Sequence, residues 1–230
     1  MNSIAVIPAR GGSKRVPRKN IKSLNGRPVI TYAISLALES NLFDSVVVST
    51  DDEEIREIAL TWGAQVQGLR PKNLSDDFTT TVDVVAYELD IQIKNKNVDL
   101  VTCLYPVTPL LKKYHLESGI NLLLETNSTY IISAVELPSP IERSFKLNKS
   151  LKLELDPEFS PNSRTQDFKP SFYDAGQFYI GLSDAWSQRK PLIQDDSSAL
   201  VLQPWEVIDV NTEDDWIVME KLLGSGGSIS

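Results

Sequence analysis

The chain has 230 residues, 41% of them apolar, and a formal charge of −8. That length suits one domain with an elaboration or two small ones, and the acidic balance argues against a general nucleic-acid binder, which needs a broad basic face. No stretch approaches the roughly 18 apolar residues of a membrane span, no signal-peptide pattern opens the chain, and the single Cys103 allows no intramolecular disulfide. The expectation is a cytoplasmic protein with no membrane or nucleic-acid partner.

In chain order, Ile4–Ile7 reads as a short buried strand. Pro28 opens a helix to about Glu39, and Val46–Ser49 is a second buried strand. Asp51 and Asp52 cap a helix with Ile55, Ile58, Ala59 and Trp62 on one face, ended by Gly63. A short strand at Ala64–Gln67 follows, then a helix from Thr79 to about Ile93 with Val82, Val85, Ala86, Leu89 and Ile93 on one stripe. Val98–Leu104 reads as a strand, Leu116–Leu124 lies in a helix, and Tyr130–Val135 is another strand. Gly176–Leu182 returns to strand, Trp205–Val210 ends the sheet, and Thr212–Leu223 closes the chain as a helix capped by Thr212. This alternation predicts a three-layer α/β/α sandwich with a mostly parallel sheet, one domain over residues 1–223.

Residues 138–172 break the alternation. Prolines punctuate them, and Phe145-Lys-Leu followed by Leu151-Lys-Leu-Glu-Leu reads as a hairpin arm inserted in the core domain. The tail at 224–230 reads as a flexible linker.

Charge is distributed unevenly along the chain. Seven cations, Arg10, Lys14, Arg15, Arg18, Lys19, Lys22 and Arg27, lie in one segment, and the first acidic residue is Glu39. The segment Ala-Arg-Gly-Gly-Ser-Lys-x-x-Pro-x-Lys-Asn (residues 9–20) follows the first strand directly. It is neither a Walker loop nor a Gly-x-Gly-x-x-Gly fingerprint. Gly11 and Gly12 let backbone amides approach an oxyanion, Arg10 and Lys14 neutralise phosphate oxygens, and Lys19 adds a further cation after the Pro17 bend. A loop of this kind suits a polyphosphate.

The opening Ile4-Ala-Val-Ile-Pro-Ala-Arg-Gly-Gly-Ser-Lys-Arg-Val-Pro-Arg-Lys-Asn20 resembles that of the cytidylyltransferases that make CMP-activated nonulosonic (sialic-type) acids. The likeness continues in Phe43–Asp52, Leu69-Arg-Pro, Leu74-Ser-Asp-Asp, Pro106-Val-Thr-Pro109 and Val207–Asp215. Within that family, Tyr173-Asp-Ala-Gly-Gln-Phe-Tyr179 and Asn162-Ser-Arg-Thr-Gln-Asp167 are similar to the pseudaminic acid cytidylyltransferase branch. The resemblance implies a Rossmann-like nucleotidyltransferase fold. It also implies transfer of CMP from CTP to the anomeric hydroxyl of a nonulosonic sugar acid, with release of pyrophosphate. N-acetylneuraminic or legionaminic acid as the acceptor, and a nucleotide-binding module without catalysis, stay open as alternatives.

By the same resemblance, Arg10, Lys14 and Lys19 are the catalytic cations, since positioning and fixed positive charge dominate phosphoryl-type transfer. Ala9, Gly11, Gly12, Ser13, Asn20 and Arg70 join Arg10 and Lys14 around the nucleotide. Tyr105, Arg164, Tyr173, Asp174 and Gln177 face the sugar acid, Arg164 being the candidate for its carboxylate. Mg2+ is the expected cofactor, held at Asp209 and at Asn211, where the family carries a second aspartate. Asp209 and Asn211 read equally as a strand-end turn and part of a helix cap, and Arg70 as a surface ion pair. Cys103, His115, Trp62 and Trp216 read as structural. The arm has too little sequence for its own core, and the family implies a homodimer in which it reaches the neighbouring active site.

Overall fold

The computed structural model describes residues 1–94, 96–155 and 164–224. The chain opens with β1 (Ser3–Pro8), then the basic loop and a small ribbon of β2 (Ser23–Leu24) and β3 (Arg27–Pro28). Pro28 thus lies in the ribbon and the first helix, α1 (Ile30–Ser40), begins two residues after it. Next come β4 (Ser45–Ser49) and α2 (Glu53–Thr61). Asp52 alone caps α2, accepting from the Ile55 amide at 3.0 Å, while Asp51 turns toward the basic loop. Residues 64–67 form no strand; Gln65 makes a single bridge to Val47. The next elements are α3 (Thr81–Gln92), β5 (Leu100–Leu104), α4 (Lys113–Thr126) and β6 (Tyr130–Glu136).

The expected arm contains a hairpin, β7 (Phe145–Leu147) paired antiparallel with β8 (Leu153–Leu155). Pro157, Pro161 and Asn162 of the arm, and the tail after Gly224, lie outside the described residues. The chain returns through β9 (Phe172–Leu182), α5 (Ser183–Ser187), β10 (Ser198–Val201) and α6 (Glu213–Gly224). The sheet therefore ends at β10; Trp205 lies in a turn closed by the Glu206 amide on the Gln203 carbonyl at 2.9 Å, and residues 207–210 cross onward without forming a strand. A strand needs a neighbour to pair with, and β10 already occupies the edge beside β6.

The sheet order is β10-β6-β9-β5-β1-β4. β4 and β5 flank β1 in parallel, β10 runs parallel to β6, and β9 is antiparallel to both neighbours. Successive side chains of a strand face opposite ways, so each inner strand supplies two cores. Ala5, Ile7, Val46, Val48, Leu100 and Leu104 pack under α1, α2 and α4. Ile4, Val6, Val101 and Cys103 pack against Val82, Val85 and Leu89 of α3 and Trp186 of α5. The Cys103 thiol is fully buried, and burial pushes its pKa up, as suits an inert core residue. A third cluster joins Val16 and Leu24 to Val210, Trp216 and Met219, seating α6 against the basic loop and its ribbon. Trp62 and Ile93 depart from their expected inward faces, at 36% and 45% exposure, each being the residue just past the end of its helix.

No helix among the described residues is long and apolar enough to cross a membrane. One packing detail constrains the central antiparallel strand. A Cβ on Gly181 would stand 2.5 Å from the ring of Tyr130 and 3.1 Å from Trp186 Nε1, both rings being buried. Gly181→Ala is expected to lower unfolding free energy by about 1–3 kcal/mol in urea denaturation, because two rigid rings cannot both withdraw.

Candidate active site

The site lies at the carboxyl end of the parallel strands, where α/β sheets place ligands beside the point at which strand order reverses. Here that point is β1, flanked by β4 on one side and β5 on the other. A cavity of about 400 Å³ opens there. Arg10, Ser13, Lys14, Lys19 and Asn20 form one wall, Tyr105 the floor after β5, and Asp174, Asp209 and Asn211 the far wall. A second cavity of about 300 Å³ adjoins it and shares Pro8, Arg10 and Tyr105; Arg70, Thr81 and Val84 line its remainder. Volumes of this size suit small-molecule ligands.

The basic loop is held by acids drawn from far along the chain. Arg18 donates to both Asp52 oxygens, and its Nη2 also reaches Glu54 at 2.5 Å. This pairing holds the Asp52 carboxyl below the usual carboxylate range. Arg10 pairs with Asp77 at 2.7 Å, and Lys14 pairs with the same carboxylate. Asp77 is held below its ordinary pKa, first by Lys14 and then by Arg10. On the opposite side Arg15 donates to Asn211 Oδ1 at 2.6 Å, Lys19 Nζ to the Val210 carbonyl at 2.7 Å, and Lys22 pairs with Glu213. Arg27 takes no place in the cavity; its guanidinium stacks 3.6 Å from the Tyr32 ring centroid. Asn20 is buried and donates to the Arg10 carbonyl at 2.9 Å, closing the loop on itself.

The far wall depends on a bulge. Residues 175–178 of β9 stand opposite Ser133 alone, whose hydroxyl accepts from the amides of Gln177 and Phe178, both at 3.1 Å. Gly176 makes this bend at φ +59°. Strict alternation would put Asp174 and Tyr179 on opposite faces; the bulge brings them together, and the Tyr179 hydroxyl donates to Asp174. Tyr105 meets Tyr179 edge to face, with centroids 5.6 Å apart, and its hydroxyl pairs with Thr81 at 2.8 Å. Burial pushes the Tyr105 phenol up to about 12, so it stays a neutral hydrogen-bonding group.

Several expected site residues take other places. Ala9 is buried, with its amide on the Ser49 carbonyl at 2.8 Å. The Gly11 amide donates to Asp51 at 2.9 Å rather than into the cavity, and Gly12 lies outside the lining. Gln177 is buried; its amide donates to Ala175 and Ile208 carbonyls and ties the bulge to the 207–210 crossing. Tyr173 is half exposed on β9 opposite Val135. Arg164 is exposed and pairs with Asp167 at 3.1 Å, so within one chain it does not reach the cavity. Arg15 and Tyr179, by contrast, join the lining without having been singled out from sequence. His115 is a buried helix-start residue whose Nδ1 accepts the Lys112 amide at 3.0 Å.

The two glycines of the loop differ in what surrounds them. A Cβ on Gly11 would stand 2.5 Å from Asp52 Oδ2, which binds Arg18 while Oδ1 of the same carboxylate caps α2; at Gly12 it would meet nothing within 4 Å. Gly11→Ala is expected to destabilise the protein by about 1–2 kcal/mol, whereas Gly12→Ala stays within about 0.5 kcal/mol, as read from urea midpoints.

The cytidylyltransferase family model matches residues 4–190. A pseudaminic acid cytidylyltransferase of Campylobacter jejuni subsp. jejuni is 42% identical over 216 residues, covering 94% of this chain and 93% of its own length. The CMP-N,N'-diacetyllegionaminic acid synthase of Legionella pneumophila is 32% identical, covering 97% of both chains. In fold the chain is similar to a CMP:2-keto-3-deoxy-manno-octonic acid synthetase solved with CTP, at TM-score 0.72 and 15% identity, over 98% of this chain and 99% of that one. By the family match and the extent of these identities, the chain belongs to the cytidylyltransferase family.

Proposed function

We propose that the protein transfers CMP from CTP to the anomeric hydroxyl of pseudaminic acid and releases pyrophosphate. The observation that carries this reading is the pair of contiguous cavities, with the basic loop on one wall and the β9 bulge on the other, in a chain 42% identical to a pseudaminic acid cytidylyltransferase. Together they offer room for a nucleotide and a sugar acid side by side. In the reaction the anomeric oxygen bonds to the α-phosphorus, the bond to the bridging oxygen breaks, and its electron pair leaves with pyrophosphate. The hydroxyl proton is lost as the new bond forms. Arg10, Lys14 and Lys19 hold the phosphates and offset their growing charge; Ser13 and Asn20 complete the wall. Asp174, Tyr179 and Tyr105 face the acceptor.

Mg2+ is part of the proposal, and the donor set is consistent with one. Asp209 supplies a carboxylate at the cavity, and magnesium needs one or two carboxylates with phosphate oxygens and water completing its shell. Asn211 fits less well: its Oδ1 accepts from Arg15 and its amide donates to Asp209 at 2.5 Å, so it serves to orient Asp209. Bound there, the ion would neutralise phosphate charge and polarise the phosphoryl group.

Lys19 supplies the sharpest test. Burial pushes its ammonium below the ordinary lysine pKa, opposed by the charge of Asp209. It therefore loses its charge, as pH rises, earlier than an exposed lysine. With CTP and pseudaminic acid, pyrophosphate release is expected to fall about 100-fold or more in Lys19→Ala with the fold intact by circular dichroism. The alkaline limb of kcat/KM is expected below the ordinary lysine value and to move upward in Lys19→Arg. Near-normal turnover of Lys19→Ala, or preferred turnover of another nonulosonic acid, would count against the reading.

The same reading includes a homodimer. Phe145, Leu147, Leu151, Leu153 and Leu155 are each more than half exposed on a two-stranded hairpin, which is marginal alone in water. A second copy would cover them and bring Arg164 toward its sugar-acid carboxylate. Light scattering at micromolar concentration is expected to give twice the 25.6 kDa chain mass, and Leu153→Glu to reduce it to one.

A further inference from the structure

Of the cations in the basic segment, Arg10, Lys14, Arg18 and Lys22 pair with carboxylates, and Arg27 stacks on Tyr32. Two remain: Lys19, held by the Val210 carbonyl, and Arg15. Arg15 lines the first cavity, where its Nη2 donates to Asn211 Oδ1 at 2.6 Å. A side-chain amide oxygen cancels no charge. Among the described residues no carboxylate lies within ion-pair distance of this guanidinium, and Nε and Nη1 have no acceptor. The cavity thus presents two cations without a carboxylate partner. The proposed reaction brings two kinds of anion to it, the phosphates of CTP and the carboxylate of the sugar acid.

Placement decides which cation meets which anion. Arg10 and Lys14 are drawn to Asp77, on the side of the second cavity. Arg15 is drawn the other way, to the chain crossing. Asn211 accepts from it and donates to Asp209 at 2.5 Å, and Asp209 adjoins the β9 bulge, since a Cβ on Gly176 would stand 3.6 Å from Asp209 Cγ. That bulge brings Asp174 to Tyr179. Arg15 therefore stands against the wall that faces the acceptor. Asp174 and Asp209 make this wall negative, so an anionic acceptor would be repelled unless a cation stood with them. Asn211 is suited to hold one there, its backbone amide being fixed to Asp215 at 2.9 Å. An aspartate in its place would pair with Arg15 outright. The neutral oxygen takes one donor and leaves the rest of the planar fork for a bidentate grip, the geometry carboxylates favour. Arg164 is engaged by Asp167 and does not reach the cavity within one chain.

We propose that Arg15, held toward the acceptor wall by Asn211, binds the carboxylate of the sugar acid and sets the requirement for an acidic acceptor. This rests on the reading of the first cavity as the site of CMP transfer. The test combines steady-state constants for pyrophosphate release, CTP dissociation constants by calorimetry, and two acceptors, pseudaminic acid and its carboxamide. The unaltered protein is expected to favour the acid over the carboxamide about tenfold or more in kcat/KM. Arg15→Ala is expected to raise the KM of the acid about tenfold or more and to leave CTP affinity within about twofold. It is also expected to abolish the preference for the acid, because the group removed from the protein and the charge removed from the acceptor are partners. Arg15→Lys is expected to recover part of the loss, since charge returns without the fork. Arg15 is exposed, so the melting temperature of both variants is expected to stay unchanged. A preference for the acid that survives in Arg15→Ala, or a loss that falls on CTP affinity instead, would overturn the inference and leave CMP transfer standing. If the unaltered protein releases no pyrophosphate from CTP with either acceptor, the functional reading fails, and the inference with it.

Discussion

Like charges repel, and a loop that brings four cations, Arg10, Lys14, Arg15 and Lys19, to one concavity cannot hold its shape without opposing charge nearby. The segment itself carries no acid. Its carboxylates arrive from three other places: Asp52 and Glu54 at the start of α2, Asp77 before α3, and Glu213 at the start of α6. Asp52, Glu54 and Glu213 stand at helix starts, where carboxylates also favour the helix dipole, and Asp77 lies in the loop before α3. The fold thus brings two helix starts and the loop before α3 to the one end of the sheet where the basic loop emerges. Mutual neutralisation of loop and termini is the constraint from which the shape of the site follows.

The two walls are coupled through the chain crossing that precedes α6. Lys19 holds the Val210 carbonyl, Arg15 holds Asn211, and Gln177 holds the Ile208 carbonyl from the other side. The crossing is therefore pinned between the loop and the β9 bulge, and Asp209 projects into the space between them. Below it, Val16, Val210, Trp216 and Met219 pack as one apolar cluster, so α6 serves as the seat on which both walls rest. Thr212 and Asp215 fix the start of that seat by reciprocal capping, at 3.2 and 2.7 Å.

What the sequence disclosed tracks what local chemistry determines. Buried parallel strands announce themselves as apolar runs, and Ile4–Ile7 and Val46–Ser49 lie within β1 and β4. The hairpin at Phe145–Leu155 was legible from alternation. The edge strand was not, because Ser198–Val201 is short and half exposed, whereas Trp205–Val210 carries a similar apolar density without a pairing partner. Charge pairing across the chain was equally hidden: the loop read as unmatched only because Asp52 and Asp77 are distant in sequence. The bulge was the deepest loss. Gln177 and Asp174 seemed interchangeable as pocket residues, yet one glycine at positive φ sends Gln177 inward to the backbone and brings Asp174 to Tyr179. The signal was Gly176, but its consequence required knowing that Ser133 would face it.

The same partners explain how such a loop can be ready for a ligand before one arrives. Arg10 and Lys14 share an exposed carboxylate, and exposed ion pairs are held weakly against water and salt. A polyphosphate with several charges can displace or supplement Asp77 with little loss. Lys19 is different: it is already largely out of water and held by a carbonyl, a neutral acceptor that cancels no charge. The desolvation that an ammonium would otherwise undergo on meeting phosphate has been met during folding, supported by the packing beneath α6. The loop thus combines two cations that are easily released with one that is fixed and under-neutralised. In the proposed reaction that division would favour phosphate charge as it grows, since the fixed cation needs no reorganisation when the bond to pyrophosphate breaks.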